Sequence, residues 1–476
     1  MNKVKIISTI GPKTSAQKNI KKLVKIGTDI LRLNGSHNTL KWHSDVIKRI
    51  KKTTPQTPIL FDIPGKKIRT TEIENEIIYK KNQILIFASY NIKSELIKVL
   101  VNKKNFHLFV KKGKIIYADD GTLAFKVLKI NRNKHVYVKA LNSGILKNGK
   151  GINIPGFDFG GKVLNQKDKK FIIFAKKNNV DFIGISFVES AEHVNKFKKV
   201  IGRSHTPKII SKIESAKGLK NLKEIIEVSD GIMIDRGDLS IETSDHSLAV
   251  RQKQIINIGK ELSKPVIVAT ELLNNMILHK FPTRSEVSDI GNAIIDGASA
   301  LMLSGETAVG DYNYESVETM REIIKSVEKD LYQLNGELNN YKKENLSKFE
   351  HSAEAIELIC KKSNINKIVA ITRTGFAARS LALREFKIPI LAVSDIESNA
   401  KSFSLYPGVK GIFTKKKFKQ KNLDFFKDIL KFLYQKKYIN NSDNILISAL
   451  AYPGGGNRMN LIQTHSVRYL SRLLKW

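Results

Sequence analysis

Short runs of apolar, mostly β-branched residues recur through the first 330 residues, and most of them are followed by an amphipathic stretch with helical spacing. Such an alternation of strands and helices is the pattern of a parallel (β/α) barrel. There are eight of these runs, which is the number of strands that closes a TIM barrel. The predicted strands are Lys5–Thr9, Ile30–Leu33, Ile59–Phe61, Phe182–Phe187, Lys208–Ile213, Gly231–Ile234, Pro265–Ala269 and Ala300–Leu303.

The alternation stops between about residues 70 and 155, where short strand-like runs follow one another without helices. Turn signals such as Asn131-Arg132-Asn133 separate these runs. The sequence therefore predicts a small all-β domain that is inserted after the third strand of the barrel. Its predicted strands are Gln83–Ala88, Lys114–Ala118, Ala124–Ile130 and His135–Ala140.

A polar, charged linker is predicted from about Lys329 to Glu350, and helix and strand patterns alternate again after it. This alternation predicts a separate α/β domain with an open sheet. We therefore divide the chain into an α/β barrel of residues 1–69 and 157–330, an inserted domain of residues 70–156 and a C-terminal domain of residues 350–476. The C-terminal elements expected are the helices Ala353–Lys362, Ala377–Phe386 and Leu423–Tyr438 and the strands Ile368–Ile371, Ile390–Val393 and Asn444–Ala449.

Composition narrows the class of partner. The chain has 476 residues, is 41% hydrophobic and carries a formal net charge of +37, so two or three globular domains are expected. Its basic residues are spread along the whole chain, without zinc-finger spacing or an aromatic RNA-binding signature, which argues against a nucleic-acid partner. A positive surface would instead attract anionic substrates.

Cysteine usage and hydropathy bound the compartment. Cys360 is the one cysteine of the sequence, so a disulfide framework is excluded. The chain opens directly on the strand-like run Val4–Ser8, which leaves no room for a signal peptide. No apolar run approaches the ~20 residues that a membrane span requires. We expect a soluble, cytoplasmic protein without a membrane partner.

The carboxyl ends of the predicted barrel strands carry polar and charged residues, and active sites of such barrels lie at that end. Lys212 and Glu214 are two residues apart on one strand, so their side chains point to the same face. Glu214 and Asp238 follow adjacent strands and could meet over one divalent ion, because two carboxylates with room left for substrate oxygens are a common Mg²⁺ site. Arg32 and Arg69 would surround that ion with positive charge, which suits a phosphorylated substrate.

The strand ends resemble those of the pyruvate kinase family, and the resemblance extends over nearly the whole chain. It implies a TIM barrel, an inserted small β-barrel lid domain and a C-terminal α/β domain that binds effectors. The lid resemblance rests partly on Gly151-Ile152-Asn153-Ile154-Pro155-Gly156. The barrel motifs that carry it are Thr9-Ile10-Gly11-Pro12, Arg32-Leu33-Asn34 with Ser36-His37, Ile210-Ser211-Lys212-Ile213-Glu214, Arg236-Gly237-Asp238-Leu239 and Met302-Leu303-Ser304-Gly305-Glu306-Thr307.

This resemblance implies transfer of the phosphoryl group of phosphoenolpyruvate to ADP, the last step of glycolysis. Glu214 and Asp238 would bind the Mg²⁺ cofactor, Lys212 would stabilise the transferring phosphoryl group and the enolate, and Arg32 would hold the phosphate. Thr270 would lie near the carbon that is protonated after transfer. The substrate carboxylate would be bound by Gly237, Asp238 and Thr270, and the nucleotide phosphates would face Asn34, His37, Arg69 and Lys150.

The resemblance also bears on a monovalent cation. Asn34, Ser36 and Asp62 match the K⁺ ligands of the family. Most members have Glu where this chain has Lys67, and the subset with Lys does not need K⁺. Ile63, where the K⁺-dependent form has Thr, fits the same subset. We therefore predict that K⁺ is dispensable, since a fixed ammonium can replace the charge of a bound cation.

Departures from the family pattern surround the same site, and Gly35, Asp235 and Glu271 motivate the alternative of a catalytically weakened or inactive paralogue with a binding role. Another Mg²⁺-dependent barrel enzyme, such as a carbon–carbon lyase, is a further alternative, but it would lack the inserted lid and the C-terminal domain. The departures are Gly35 for Phe, Asp235 for Ala, Ser240 for Gly and Glu271 for Gln.

The C-terminal domain and the assembly are read from the resemblance as well. Thr372-Arg373-Thr374-Gly375 follows a strand and could form a phosphate-binding nest for a sugar-phosphate effector, or be an ordinary strand–helix turn. The glycine loop Gly454-Gly455-Gly456 is altered from the family pattern. The family is usually a homotetramer, and we expect the same here.

Overall fold

The computed structural model describes residues 3–65, 67–119, 121–156, 164–202, 206–243, 245–338, 348–382, 384, 386–418, 425–449 and 459–476. The loop at residues 454–456 lies outside these ranges. Among the described helices none combines the length and apolarity needed to cross a bilayer.

The chain begins with three barrel strands and two helices. Each strand is a fully or almost fully buried run of mostly apolar residues, as strands covered on both faces must be. Helix α2 begins where the Thr39 side chain accepts a hydrogen bond from the Trp42 amide, which caps its first turn. These elements are β1 (Lys5–Thr9), α1 (Gln17–Ile26), β2 (Ile30–Asn34), α2 (Leu40–Thr53) and β3 (Ile59–Ile63).

Nine short strands follow β3 and form the inserted domain. Seven of them close a second barrel around their own apolar core, and the other two pair with each other. Four of the nine strands were predicted, whereas those of three to five residues were mostly missed because they show little alternation. They are β4 (Ile68–Thr71), β5 (Ile77–Tyr79), β6 (Ile84–Ala88), β7 (Ile97–Val101), β8 (Ile115–Ala118), β9 (Leu123–Ile130), β10 (Val136–Ala140), β11 (Gly144–Leu146) and β12 (Gly151–Asn153).

The main barrel resumes after the inserted domain. Its eight strands are parallel and close in the order β1-β17-β16-β15-β14-β13-β3-β2. The elements of this part are α3 (Gln166–Lys177), β13 (Phe182–Ile185), α4 (Ala191–Ile201), β14 (Lys208–Ile213), α5 (Ala216–Lys220), α6 (Leu222–Val228), β15 (Gly231–Asp235), α7 (Arg236–Thr243), α8 (Leu248–Glu261), β16 (Val266–Ala269), α9 (Arg284–Asp296), β17 (Ala300–Leu303), α10 (Gly305–Ala308) and α11 (Asn313–Leu338).

The predicted linker from Lys329 is wrong over its first ten residues, because α11 runs on without a break to Leu338. The polar composition of this stretch is compatible with a helix, since many of its residues are good helix formers. A second helix, α12, already begins at Lys348.

The C-terminal domain is an open five-stranded sheet in the order β20-β19-β18-β21-β22, with β22 antiparallel to its neighbour. The predicted strands are present, and β20 and β22 are additional. Its elements are α12 (Lys348–Lys362), β18 (Lys367–Ile371), α13 (Phe376–Ala382), β19 (Ile390–Ser394), α14 (Glu397–Phe403), β20 (Val409–Phe413), α15 (Phe425–Gln435), β21 (Asn444–Ala449), β22 (Leu461–Ser466) and α16 (Val467–Leu473).

Two apolar layers hold the main barrel together. The larger lies between the strands and the surrounding helices and includes Ile6, Phe61 and Ile183. A smaller cluster, with Ile7 and Met233 among its members, fills the inside. Because all eight strands are parallel, their carboxyl ends lie at one end of the barrel. The inserted domain follows the carboxyl end of β3, so it is attached to the barrel at that same end.

Candidate active site

Lys212 lies at the centre of a group of charged side chains at the carboxyl ends of β14 and β15. Its Nζ lies 2.8 Å from Glu214 Oε1 and 2.9 Å from Asp235 Oδ2, and all three residues are buried. Strands β14 and β15 are direct neighbours in the barrel. The spacing of Lys212 and Glu214 therefore brings them to the same side, as the alternation predicts.

Three carboxylates meet beside this lysine. One ligand oxygen each of Glu214, Asp235 and Asp238 can be chosen so that all lie within 4.8 Å of one another. Asp238 stands in the first turn of α7, where its Oδ1 accepts hydrogen bonds from Lys67 Nζ at 2.6 Å and Asn153 Nδ2 at 3.0 Å. The structure thus brings the predicted pair Glu214 and Asp238 together and adds Asp235.

The donor set suits a hard divalent cation, because Mg²⁺ prefers carboxylate and carbonyl oxygens. Asn153 supports this fit: its Oδ1 is buried and has no hydrogen-bond partner among the described residues, although its amide nitrogen donates to Asp238. A buried oxygen of this kind is costly unless a donor or a cation satisfies it.

The pKa values in the cluster follow from burial and mutual attraction. Burial raises the pKa of Glu214 to about 8 against the attraction of Lys212. Burial also disfavours ionisation of Asp235, but Lys212, Lys67 and Arg32 outweigh it and lower the pKa of that carboxyl to about 2. For Lys212, burial is outweighed by its carboxylate neighbours, and the pKa lies well above its ordinary value. Lys212 therefore keeps its positive charge at neutral pH.

Arg32 is held rigidly at the end of β2. Its Nε donates to Asp62 Oδ2 at 2.9 Å and its Nη1 donates to Thr9 Oγ1 at 3.1 Å. Asp62 Oδ1 is buried without a hydrogen-bond partner in the described part of the chain. A side chain at Gly184 would come within 1.9 Å of that oxygen, so glycine is needed there. Arg32 is consequently fixed before any anion arrives.

The last residue of β2, Asn34, and Ser36 in the turn after it are two of the predicted K⁺ positions. Asn34 Oδ1 accepts a hydrogen bond from the Ser36 amide at 3.1 Å, and Asn34 lies opposite Asp62 in the parallel register. Between them, Gly35 packs so tightly that an added Cβ would lie 2.6 Å from the carbonyl oxygen of Asp62. The glycine that departs from the family pattern therefore has a packing reason in this chain.

Thr270 and Glu271 both adopt left-handed backbone conformations, with φ of 68° and 54°. Non-glycine residues adopt this conformation at a cost and mostly where the surroundings impose it. Arg236 does so here, because Nη2 donates to the carbonyl oxygens of Thr270 at 2.7 Å and Glu271 at 2.8 Å. The Thr270 Oγ1 in turn accepts a hydrogen bond from the Gly237 amide at 3.1 Å.

The predicted nucleotide-binding residues surround the junction of barrel and lid. Arg69 on β4 pairs in register with Gly151 on β12, directly beside Lys150. The Lys150 Nζ lies 2.7 Å from Asp119 Oδ1. The pKa of His37 is lowered mainly by burial and further by the nearby cations Arg69, Arg32 and Lys150. His37 is therefore neutral at physiological pH. The neutral His37 imidazole is therefore surrounded by the cationic side chains of Arg69, Arg32 and Lys150.

Four residues at the site were given no binding or catalytic role by the sequence. Arg236 and Asn153 stood within quoted motifs, yet their hydrogen bonds to the turn after β16 and to Asp238 depend on contacts between distant segments. The ion pair of Asp119 with Lys150 also joins distant segments of the chain. Asp235 was noted as a departure, but its ion pair with Lys212 could have been suspected from the register of β14 and β15.

In the C-terminal domain, the turn that could bind a phosphate is closed on itself. Thr372 Oγ1 accepts a hydrogen bond from the Gly375 amide at 3.0 Å. Arg373 forms a bidentate ion pair with Asp395. The Arg373 Nη2 also donates to the carbonyl oxygen of Phe418. A sugar-phosphate effector at this turn stays a prediction.

The fold and the site define a class of protein: (β/α)8 barrels with a β lid and carboxylates, a lysine and an arginine at the strand ends. Known proteins narrow this class. The sequence model of the pyruvate kinase barrel domain matches residues 1–317, and that of the pyruvate kinase alpha/beta domain matches residues 350–465. This chain therefore belongs to the pyruvate kinase family.

Individual proteins similar to this chain are pyruvate kinases as well. A pyruvate kinase of Candida albicans is 38% identical over 417 residues, which cover 85% of this chain and 83% of that protein. Pyruvate kinase 1 of Saccharomyces cerevisiae is 35% identical over 422 residues, 86% of this chain and 84% of that protein. The pyruvate kinase of Dictyostelium discoideum is 34% identical over 409 residues, 82% and 80% of the two chains. The predicted family and fold class are confirmed, and a carbon–carbon lyase barrel is excluded.

Proposed function

We propose that this chain is an active pyruvate kinase, which transfers the phosphoryl group of phosphoenolpyruvate to ADP and forms pyruvate and ATP. The observation that carries the proposal is the buried group of Lys212, Glu214 and Asp238 at the carboxyl ends of the barrel strands. A family fold alone does not establish activity. Here the charged groups that the reaction needs are present and ordered by other protein groups.

Glu214 and Asp238 are the residues that would hold Mg²⁺, and their fit rests on the oxygen-rich donor set and on the unsatisfied Asn153 oxygen. A bound Mg²⁺ supplies positive charge that neutralises phosphoryl and enolate oxygens. The chain's own contribution is to fix these carboxylates: the Phe187 amide donates to Glu214 Oε2, while Lys67 and Asn153 hold Asp238.

The phosphoryl transfer breaks the bond between the enol oxygen of phosphoenolpyruvate and phosphorus, and a terminal β-phosphate oxygen of ADP forms the new bond to that phosphorus. Arg32 would bind the moving phosphoryl group, since Asp62 and Thr9 already orient its guanidinium. The Lys212 ammonium would balance the charge that develops on the enolate oxygen. Such preorganised charges are the main source of catalysis in phosphoryl transfer.

The enolate must then take up a proton at its methylene carbon. Thr270 would stand beside that carbon, and its hydroxyl would relay a proton from water to the carbon, taking up the water proton as it gives its own. The same residue and the amides at the start of α7, including those of Gly237 and Asp238, would bind the substrate carboxylate. Arg236 supports this arrangement by holding the carbonyl oxygens of Thr270 and Glu271.

The nucleotide would bind between the barrel and the lid. The residues at this junction that would contact it are Asn34, His37, Arg69 and Lys150. A neutral His37 can donate a hydrogen bond to a phosphate oxygen without adding to the positive charge of the neighbouring arginines and lysine. The Lys67 ammonium, 2.6 Å from Asp238, supplies a permanent positive charge beside the ion centre. We therefore propose that the enzyme works without K⁺.

Assembly and location follow the family. We propose a cytoplasmic homotetramer, in which subunits cover apolar side chains that one chain leaves open. Leu278 and Phe281 support subunit contacts, because 68% and 72% of their surfaces are exposed. Light scattering of the purified protein should give about four times the mass of one chain.

The test of the activity is a coupled assay of pyruvate formation with phosphoenolpyruvate, ADP and Mg²⁺. The wild-type protein should turn over, whereas Lys212→Met should lose about three orders of magnitude or more, as removal of a charge aimed at the transition state does. Lys264→Met is the control: Lys264 is a partly buried lysine whose Nζ donates to the Glu227 and Ser229 carbonyl oxygens far from the site. A folded wild-type protein without turnover would favour the inactive paralogue.

A further inference from the structure

Asp235 is the last residue of β15, and the proposed reaction assigns it no role. It is buried, and its Oδ2 lies 2.9 Å from Lys212 Nζ. An acid in this position is costly to bury, and it places a negative charge beside an anionic substrate. Its presence therefore calls for a compensating interaction.

We propose that Asp235 is a third carboxylate ligand of the divalent-ion centre formed by Glu214 and Asp238. The inference rests on the proposed function, because it concerns the same ion. The ligand oxygens of the three residues lie within 4.8 Å of one another. Two oxygens on one Mg²⁺ at about 2.1 Å stand at most about 4.2 Å apart. Small side-chain rotations are therefore enough for all three to share one ion.

The hydrogen bonds leave an oxygen of Asp235 for this purpose. Its Oδ2 is occupied by Lys212, whereas Oδ1 points toward Gly237, 3.9 Å from the place where a Cβ would be. Gly237 begins the turn that carries Asp238. One carboxylate can thus bind the ammonium through one oxygen and the ion through the other, which is how crowded metal sites are often stabilised.

Charge counting gives the second reason. Glu214, Asp235 and Asp238 carry three negative charges when ionised, and Lys212 and Lys67 carry two positive charges within the same ion-paired group. A divalent cation that binds there displaces any proton from the three carboxylates, so the group around it has a net charge of about −1 with Asp235 and about zero without it. The additional negative charge strengthens the attraction for the cation in a buried site.

With three carboxylates around one ion, the substrate-free protein should bind a divalent cation by itself. The probe is Mn²⁺, whose free concentration is read from its electron paramagnetic resonance signal. Asp235→Asn keeps the shape of the side chain and removes its charge. We expect it to weaken Mn²⁺ binding by about tenfold, as the loss of one carboxylate ligand does.

Two control variants separate the outcomes. Asp29→Asn removes another partly buried acid, which pairs with Lys5 at the opposite end of the barrel, and should leave Mn²⁺ binding within about twofold. Glu214→Gln removes a carboxylate that the proposed function already assigns to the divalent ion. If Glu214→Gln weakens binding and Asp235→Asn does not, the inference about Asp235 is overturned while the proposed function stands. If neither variant weakens binding, the ion centre itself is wrong.

Lys212→Met decides whether Asp235 acts on the ion or through the lysine. A direct ligand should still matter in that background, so Asp235→Asn should again weaken Mn²⁺ binding by about tenfold. Loss of the effect in the Lys212→Met background would overturn the proposal, because Asp235 would then act only by holding the ammonium. Thermal unfolding of each variant verifies that it is folded.

Discussion

The Lys67 ammonium lies 2.6 Å from the Asp238 carboxylate at the junction of barrel and lid, where the two side chains are 12% and 10% exposed. The lysine crosses the backbone of β12 at Gly151, where a Cβ would come within 2.3 Å of Lys67 Cε. Glycine at that position therefore makes room for the lysine. The result is a fixed positive charge next to a proposed ligand of the catalytic ion.

A fixed ammonium predicts that turnover does not depend on K⁺. The wild-type rate of pyruvate formation in Na⁺ or tetramethylammonium buffer should equal that in K⁺ buffer within about twofold. Lys67→Glu should lower the rate without K⁺ by about 100-fold or more and recover much of it in K⁺, because a loss of nearby charge costs several kcal/mol. A wild-type enzyme that needs K⁺ would contradict the role assigned to Lys67.

Arg236 is predicted to act as a positioning residue for Thr270. Arg236→Lys loses the two-carbonyl contact, so Thr270 and Glu271 are no longer forced into left-handed conformations that cost about 1–3 kcal/mol each. We expect kcat to fall at least about tenfold with an unchanged KM for ADP. Arg321→Lys, where the arginine donates to the Ile26 carbonyl away from the site, is the control and should behave as wild type. An equal loss in both variants would indicate a general effect of removing an arginine.

Gly35 should tolerate no side chain. Gly35→Ala would press a Cβ against the Asp62 carbonyl and the Phe61 ring, and overpacking of this kind costs about 1–3 kcal/mol. We expect a lower unfolding temperature and weaker substrate binding, since Asp62 holds Arg32. In Gly291→Ala the new atom meets its nearest neighbour at 3.7 Å, so this variant should be close to wild type. Unchanged behaviour of Gly35→Ala would contradict the packing argument.

Asp181, at the opposite end of the barrel, should make stability depend on pH. Burial raises the pKa of Asp181 from 3.8 to about 6, so the folded protein favours its neutral form. This stabilisation is present below about pH 4 and is lost as the pH rises through 6, which corresponds to roughly 3 kcal/mol. Asp181→Asn keeps a neutral acceptor for the Ile59 amide. Its unfolding temperature relative to wild type should therefore rise between pH 4.5 and 7.5; a constant difference would contradict the shift.

The sequence predicts the parts of this site that depend on one strand at a time. Because side chains alternate along a strand, Lys212 and Glu214 at the end of β14 point to the same face. The repeated strand–helix pattern places Asp238, which follows β15, at the same end of the barrel. It does not predict contacts between segments that are far apart in the chain. Asn153 reaches Asp238 because the lid strand β12 lies against α7. Lys67, which precedes β4, reaches Asp238 by passing Gly151 of β12. No local sequence pattern predicts either contact.

The same limit explains the errors in the fold. Strands β4 and β12 are four and three residues long, and they are stabilised by pairing with each other and with β7 and β8. The predicted linker was polar, yet its first part continues helix α11, because polar composition does not exclude helix. Gly35 was interpreted as a departure from a family pattern, whereas the structure gives it a steric reason that only the position of Asp62 reveals.

The central claim is transfer of the phosphoryl group to ADP, and ³¹P nuclear magnetic resonance follows it directly. With wild-type protein, Mg²⁺ and ADP, the phosphoenolpyruvate signal should fall as the ATP γ-phosphate signal rises, one for one. The exchange should stop when Mg²⁺ is chelated and in Lys212→Met, but not in Lys264→Met. Release of inorganic phosphate without ATP, or no change in either signal with folded protein, would contradict the account.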